Sequence, residues 1–279
     1  MKSFYKIKII YKMNIFVKEN LLKTREHLSP SGKYKLVIET FKTGPQTWNY
    51  TKGSVYSTHT NDFCGSIERN YPHFPFLFFF KDNKEYLVSG KSYLSQSIIN
   101  CQTGHTYESQ EKKDNFCWSQ MWQVDENTIC VCGCFWGGPY IYSFYDFSDI
   151  SLGWPELEIK VDENIKFPVE KMEYFLTNND LAGQHNYPDP EISNHQITFT
   201  VKESRVIWAA KSKLSNDVKE INMEVGDYLE QLQEPNGFEI YNYKEKIQKF
   251  DKLKMTWKRI ENKMVLIDFW RNQSKLLDE

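Results

Sequence analysis

The stretch FCWSQMWQVDENTICVCGCFWGGPYIYSFYDFSD, residues 116 to 149, decides the fold of this chain. It divides into three short apolar runs that are separated by two turns, Asp125-Glu126-Asn127 and Gly137-Gly138-Pro139. The middle run, Thr128 to Phe135, is too short for a typical helix and is rich in β-branched and small apolar residues, which favours a strand buried on both faces. The stretch therefore predicts a small antiparallel sheet of three strands.

A similar pattern occurs 43 residues upstream. Asp82 and Asp125 each open a turn, and each is followed by an apolar run, by a glycine eight residues later and then by an aromatic residue. This spacing is typical of propeller blades and related β-repeats. We therefore predict that Glu85 to Gly90 and Ile129 to Gly133 occupy corresponding strands of neighbouring sheets.

Looser versions of the same hairpin pattern occur elsewhere, in SPSGKYKLVIETF at 29 to 41, ITFTVKESRVIWAA at 197 to 210 and MTWKRIENKMVLIDFW at 255 to 270. Another apolar run, HFPFLFFF at 73 to 80, is too short to span a membrane and is predicted to be a buried strand. We expect an all-β protein of consecutive antiparallel units of about 40 to 50 residues, arranged like a propeller or as stacked sheets. A β-sandwich is the alternative.

The 279 residues are enough for one large domain. We expect residues 1–27 to be an N-terminal extension and residues 28–279 to form a single β-rich domain, with a part from about residue 156 that can be less regular. The Lys-rich segment from Tyr241 to Phe250 is predicted to be a short surface helix, and Asp227 to Gln233 one or two helical turns.

Charge and hydropathy exclude several classes of protein. The net charge is −2, with Lys and Glu interspersed, so no basic stripe is available for a nucleic acid. No apolar run in residues 1–27 is long enough for a secretory signal or a membrane span. We therefore expect no nucleic acid and no membrane as partners, no secretion and a cytoplasmic location, with Met13 as an alternative start of translation. The oligomeric state stays open.

Three cysteines alternate along the central strand. Cys130, Cys132 and Cys134 point to one face, in a parallel arrangement that suits disulfides poorly. Packing as small buried apolar side chains is the favoured role, which predicts that all six cysteines are reduced and buried. A metal or redox role of this strand is the alternative, although the paired C-x-x-C motifs of structural zinc sites are missing from the sequence. We predict no cofactor.

Aromatic residues around the central turns are the candidate binding residues. Such rings usually pack in a core, but a Trp beside two glycines in a turn is hard to bury, and Trp and Tyr provide large contact areas at low entropic cost. The candidate binding residues are Trp136, Tyr140, Trp118, Trp122 and Tyr142.

The sequence has no recognised nucleophile elbow, phosphate-binding loop, dinucleotide fingerprint or H-E-x-x-H motif. This favours a non-catalytic module that binds a protein partner or acts as a scaffold. The alternative is a hydrolase that uses His185, Asp189 and His195 in the polar loop at 176 to 195. A metal-binding protein is a third, weaker possibility.

Four strings resemble a known group of proteins: SPSGKYKLVIETF, ERNYPHFPFLFF, EYLVSGKSYLSQSIIN and CWSQMWQVDENTICVCGC. They resemble an uncharacterised family of giant DNA viruses of amoebae and some bacteria, over roughly residues 28 to 155. The resemblance implies a viral protein in the host cytoplasm or the virion. It brings no activity, cofactor or catalytic residue.

Overall fold

The computed structural model describes residues 15–90, 95–109, 116–135, 140–166, 189–212, 218–222 and 241–272. The chain divides into two compact units, of which the first ends at Glu156 and the second begins at Leu157. Among the described residues the only helical segments are two single 3-10 turns, Lys18–Asn20 and Ile150–Leu152. The predicted all-β class with several antiparallel sheets is confirmed.

The first unit contains three antiparallel sheets that follow one another along the chain. Within each sheet every strand pairs with the next one in sequence. The first sheet contains β1 (Leu21–Leu28), β2 (Tyr34–Lys42), β3 (Asn49–Ser57) and β4 (Phe63–Arg69); the second contains β5 (Phe76–Lys81), β6 (Lys84–Gly90), β7 (Gln96–Asn100) and β8 (Thr106–Glu108); the third contains β9 (Phe116–Asp125), β10 (Thr128–Phe135) and β11 (Tyr140–Asp146).

The second sheet is buried on both faces. On one face, Phe78 and Leu87 join the apolar cluster that is shared with the first sheet. On the other face, Phe79 and Val88 join the cluster that is shared with the third sheet. Successive side chains of a strand point to opposite faces, so a strand between two layers needs a continuous apolar run. The predicted strand at 73 to 80 is present from Phe76 onwards but is buried only in part, since Phe76 and Leu77 are half-buried and Phe80 is 40% exposed.

The two segments that are offset by 43 residues occupy the second strands of successive sheets. The segment from Glu85 to Gly90 lies in β6, the second strand of its sheet, and the segment from Ile129 to Gly133 lies in β10, the second strand of the next sheet. Val88 and Ile129 belong to the same core cluster. Neither segment is helical, and the two strands do not pair with each other.

Polar side chains of the turns connect neighbouring sheets. The buried Glu85 carboxylate accepts hydrogen bonds from the hydroxyls of Ser29 at 3.1 Å and Ser31 at 2.6 Å, in the turn between β1 and β2. Between the second and third sheets, Lys81 Nζ donates to Asn127 Oδ1 at 2.5 Å, and the main-chain N–H of Asp82 donates to Glu126 Oε1 at 2.7 Å. The polar turns therefore position the sheets as well as reverse the chain.

The second unit is built on one sheet with two long strands. Its strands are β12 (Glu158–Val161), β13 (Glu191–Ser193), β14 (Gln196–Ser212), β15 (Val218–Asn222), β16 (Tyr241–Ile260) and β17 (Lys263–Asn272). They lie in the order β12-β17-β16-β14-β13, and β15 also pairs with β14. The pair β12 and β17 is parallel, and the other pairs are antiparallel.

One secondary-structure prediction is wrong in this unit. The segment from Tyr241 to Phe250 is the first half of β16 and not a helix. It pairs with β14, from Ser212 opposite Tyr241 to Ser204 opposite Phe250. Main-chain hydrogen bonds to a neighbouring strand override the weak local preference of a Lys-rich segment. The helical turns predicted at 227 to 233 lie outside the described residues.

Candidate functional site

A cleft of about 260 Å³ lies at the third sheet, within the first unit. Most of its lining is apolar or aromatic, and we call it the aromatic cleft. Its lining residues are Gln96, Ser109, Phe116, Trp118, Phe135, Ile141, Ser143, Tyr145, Leu152, Gly153, Trp154, Pro155 and Glu156.

The strands of the third sheet supply one wall of the aromatic cleft. Phe116 and Trp118 alternate along β9, as do Ile141, Ser143 and Tyr145 along β11, so each set points to a single face. The rings of Phe116 and Phe135, which are cross-strand partners, have centroids 5.2 Å apart. Those of Trp118 and Tyr145 are 4.6 Å apart. These ring pairs stabilise the wall, because aromatic contacts at such distances are favourable.

The segment after β11 supplies the opposite wall. The Asp149 carboxylate accepts hydrogen bonds from the N–H and the hydroxyl of Ser151, at 2.9 and 2.6 Å, and these bonds lower the pKa of Asp149. The N–H of Asp146 donates to the carbonyl of Pro155 at 2.8 Å. Together these bonds return the chain to the sheet. They place Trp154 at the cleft, where its ring stacks on Phe147 with centroids 5.7 Å apart.

The aromatic cleft has one charged side chain. Glu156 is the sole ionisable acid or base among the lining residues, apart from the phenol of Tyr145. The remaining polar lining consists of Gln96, Ser109 and Ser143. Gln96 and Ser109 are already joined, since each main-chain N–H donates to the other residue, at 2.9 Å. The cleft thus combines aromatic faces with one negative charge.

The predicted binding residues separate into different places. Trp118 lines the aromatic cleft but is only 3% exposed, because most of its ring is part of the core. Trp122 and Tyr142 lie on the other face of the sheet, with ring centroids 6.2 Å apart, and Tyr142 is buried. Tyr140 lies on that face too, as the cross-strand partner of Cys134. Trp136 lies outside the described residues.

Sequence reasoning missed most of the cleft. Phe135 precedes the predicted Trp136 in the sequence, and Ile141 follows the predicted Tyr140 but points to the opposite face of β11. Leu152 and Trp154 lie in LGWP, which breaks the strand pattern after the third sheet. Leu152 is 79% exposed. An apolar pair in a segment that ends a sheet was the feature that could have pointed to this wall.

The cysteine strand is a core element at its first two cysteines. Cys130 and Cys132 are fully buried, and burial together with the nearby Cys134 thiol raises the pKa of Cys132 to about 12. The prediction of six buried cysteines is wrong for Cys64, Cys117 and Cys134, which are half-buried. Cys134 is the last residue but one of β10. In the described ranges no three His, Cys, Asp or Glu side chains are grouped to hold a metal.

Most of the predicted catalytic loop at 176 to 195 lies outside the described residues. His185 lies outside the described residues, together with the rest of 176 to 188. His195 lies in the two-residue turn between β13 and β14, where Asn194 and His195 have φ values of 51° and 59°. Positive φ at both central positions is typical of a type I′ hairpin turn. The backbone of His195 therefore forms part of the turn that joins β13 to β14.

Comparisons with known proteins bear on the resemblance to a viral protein. No model of a protein family matches the chain. No helix among the described residues has the length and apolar character needed to cross a bilayer. The chain is 44% identical over 146 residues to an uncharacterised protein of Acanthamoeba polyphaga mimivirus, a match that covers 51% of this chain and 58% of that relative. The predicted resemblance to an uncharacterised protein of giant DNA viruses of amoebae is thereby confirmed.

Proposed function

We propose that the chain is a non-catalytic binding module, and that the aromatic cleft takes up one basic side chain of an extended segment of a protein partner. The observation that carries this proposal is the position of Glu156, a lone carboxylate at a cleft walled by aromatic rings. The sequence predicted that the turn around Trp136 binds the partner, and we now propose that the residues of the aromatic cleft bind it.

The chemistry of the cleft matches a Lys or Arg side chain. Such a side chain has an apolar stem, which can lie along Leu152 and Ile141, and a cationic end. A cation over an aromatic face gains about 0.5 to 2 kcal/mol, and the carboxylate of Glu156 adds a favourable charge interaction. An acidic side chain would be repelled. The volume of about 260 Å³ lies below the range of roughly 300 to 1,000 Å³ that is usual for sites of drug-sized ligands, which favours a single side chain.

We further propose a propeller-like arrangement of repeated units in the first part of the chain. Three sheets that follow each other along the chain, and the offset of 43 residues between β6 and β10, support this proposal. In such arrangements the segments that connect the sheets form binding surfaces. Ile150 to Glu156 is a connecting segment of this kind. The expected place of action, in the host cytoplasm or the virion, stays a prediction.

Panning of a random peptide library against the full chain tests the proposed function. We expect the wild type to enrich peptides with a Lys or Arg next to an apolar residue. Synthetic copies of these peptides should bind Glu156→Gln about five- to tenfold more weakly, the equivalent of about 1 kcal/mol. Phe135→Ala should weaken binding as well. Glu163→Gln is the matched control, because it removes one exposed carboxylate outside the cleft.

Two results would overturn this assignment. Enriched peptides without basic residues would show that the cleft does not select a cation. Equal binding by the wild type and Glu156→Gln, with Glu163→Gln as reference, would show that recognition takes place elsewhere on the chain. Failure to enrich any peptide in repeated rounds would contradict the binding role itself.

A further inference from the structure

Two cysteines face each other across the third sheet, outside the lining of the aromatic cleft. Cys117 in β9 and Cys134 in β10 are direct partners in the antiparallel register. Directly opposed residues in such a pair have Cα atoms about 4.5 or 5.5 Å apart and side chains on the same face. Disulfides need Cα separations of about 4.4 to 6.8 Å. The backbone therefore already holds these two cysteines at a distance that a disulfide can bridge.

A buried arginine contacts the sulfur of Cys117. Arg69 is only 2% exposed, and its Nη2 donates to Cys117 Sγ at 3.5 Å. Its Nη1 donates to the carbonyl of Gly90 at 2.9 Å, and its buried Nε has no hydrogen-bond partner within the described part of the chain. A guanidinium group held against a sulfur stabilises the negative charge of a thiolate, which is the nucleophile in thiol chemistry.

The other cysteines lack this combination. Cys130 and Cys132 are fully buried, and their partners across the strands are aromatic residues and Gln120. Cys117 and Cys134 are both half-buried, so small reagents can reach them. Among the described cysteines, this pair alone thus combines a facing position, access to small reagents and contact with a positively charged side chain.

We propose that Cys117 and Cys134 form a reversible redox couple that closes by exchange with a small disulfide such as oxidised glutathione. The Cys117 thiolate attacks one sulfur of that disulfide and forms a mixed disulfide, and one glutathione thiolate leaves. Cys134 then loses its proton to solvent and attacks Cys117 Sγ, so that the second glutathione thiolate leaves. Two protein thiols are oxidised, and one small disulfide is reduced to two thiols.

In this couple Arg69 is a positioning residue. It supports the thiolate of Cys117 and does not itself exchange atoms with the disulfide. Each cysteine is also adjacent in sequence to a residue of the aromatic cleft, since Phe116 precedes Cys117 and Phe135 follows Cys134. The redox couple does not depend on the proposed function, since it rests on the register of β9 and β10 and on the Arg69 contact.

The test uses the full chain in buffers of increasing ratio of oxidised to reduced glutathione. The protein is then unfolded in denaturant, its free thiols are blocked by alkylation, and it is analysed by intact mass and by peptide mapping. We expect one disulfide that joins Cys117 to Cys134, with the loss of two hydrogen atoms, while the other four cysteines stay alkylatable. Cys117→Ser and Cys134→Ser should each abolish this product, and Cys64→Ser, the matched half-buried control, should retain it.

A second measurement separates reactivity from folding. Alkylation of Cys117 by iodoacetamide should be several-fold slower in Arg69→Gln than in the wild type, and Arg69→Lys should recover part of the rate. Circular dichroism of each variant reports whether the fold is kept. The proposal is overturned if both cysteines of the folded wild type remain alkylatable at every glutathione ratio, or if either one links instead to another cysteine.

Discussion

The side-chain amide of Gln123 pairs with the main chain of Phe80 in both directions. Its Oε1 accepts from the Phe80 N–H at 3.1 Å, and its Nε2 donates to the Phe80 carbonyl at 2.7 Å. Phe80 lies in β5, the strand at one edge of the second sheet. The amide therefore takes the place that a further strand would occupy, and it covers main-chain groups that otherwise invite pairing with another chain.

Replacing this amide should weaken the first unit. In Gln123→Ala both hydrogen bonds are lost, and we expect the free energy of unfolding to fall by about 1 to 2 kcal/mol. Urea titration followed by circular dichroism measures this change. Gln102→Ala, at an exposed turn position, is the control and should leave the midpoint unchanged. Equal midpoints for the two variants would show that the paired amide contributes nothing to stability.

Gly133 should not tolerate a side chain. A Cβ atom there would collide with the carbonyl oxygen of Cys117 and would lie 2.8 Å from the Phe116 ring. Backbone cannot move aside as a flexible side chain can, so Gly133→Ala should cost about 1 to 3 kcal/mol of stability. Gly44→Ala is the matched control, since its Cβ would lie 3.6 Å from the nearest atom, Thr47 Cγ2. Thermal unfolding of the two variants at one pH provides the comparison.

The buried cysteine strand should make the protein sensitive to alkali. Burial raises the pKa of Cys132 from 9.0 to about 12, so between these values the unfolded chain has lost a proton that the folded chain keeps. Stability is therefore complete below pH 9 and falls as the pH rises towards 12, by up to about 1.4 kcal/mol per pH unit for this thiol.

Urea unfolding at several pH values from about 8 to 11 measures this slope, because this range includes the ordinary thiol pKa and extends above it. Cys132→Ala should be less stable than the wild type at pH 8 because a small cavity remains. Its stability should nevertheless fall less steeply above pH 9. Identical slopes in the two proteins would mean that ionisation of Cys132 does not contribute to alkaline unfolding.

Much of the fold could be predicted from local patterns. Turn residues and apolar runs identified β9 and β10, and the offset of 43 residues placed β6 and β10 in corresponding positions. The failure at Tyr241 to Phe250 has a clear cause. That segment is a strand because β14, which precedes it in the chain by about thirty residues or more, supplies its hydrogen-bond partners, and no local pattern reports a distant partner.

The candidate site was predictable only in part, because of one irregularity in β9. Trp118 and Trp122 are four residues apart and would share a face in a regular strand. The register shifts between Cys132 and Gly133, so that no residue of β10 lies directly opposite Ser119. This bulge turns Trp118 towards the cleft and Trp122 away from it. A sequence pattern with period two does not show where such an extra residue is inserted.

The layered burial of the second sheet also bears on synthesis of the protein. A nascent chain that has emerged as far as Glu108 contains the first and second sheets, which can pack on each other. The other face of the second sheet, with Phe79 and Val88, is uncovered until β9 to β11 emerge. At about 5 to 20 residues per second this takes roughly 2 to 8 seconds, long enough for a chaperone to bind. Ribosome-bound chains that have emerged as far as Glu108 should therefore bind a dye for apolar surfaces more strongly than chains that have emerged as far as Glu156. Equal binding would show that this face is protected earlier.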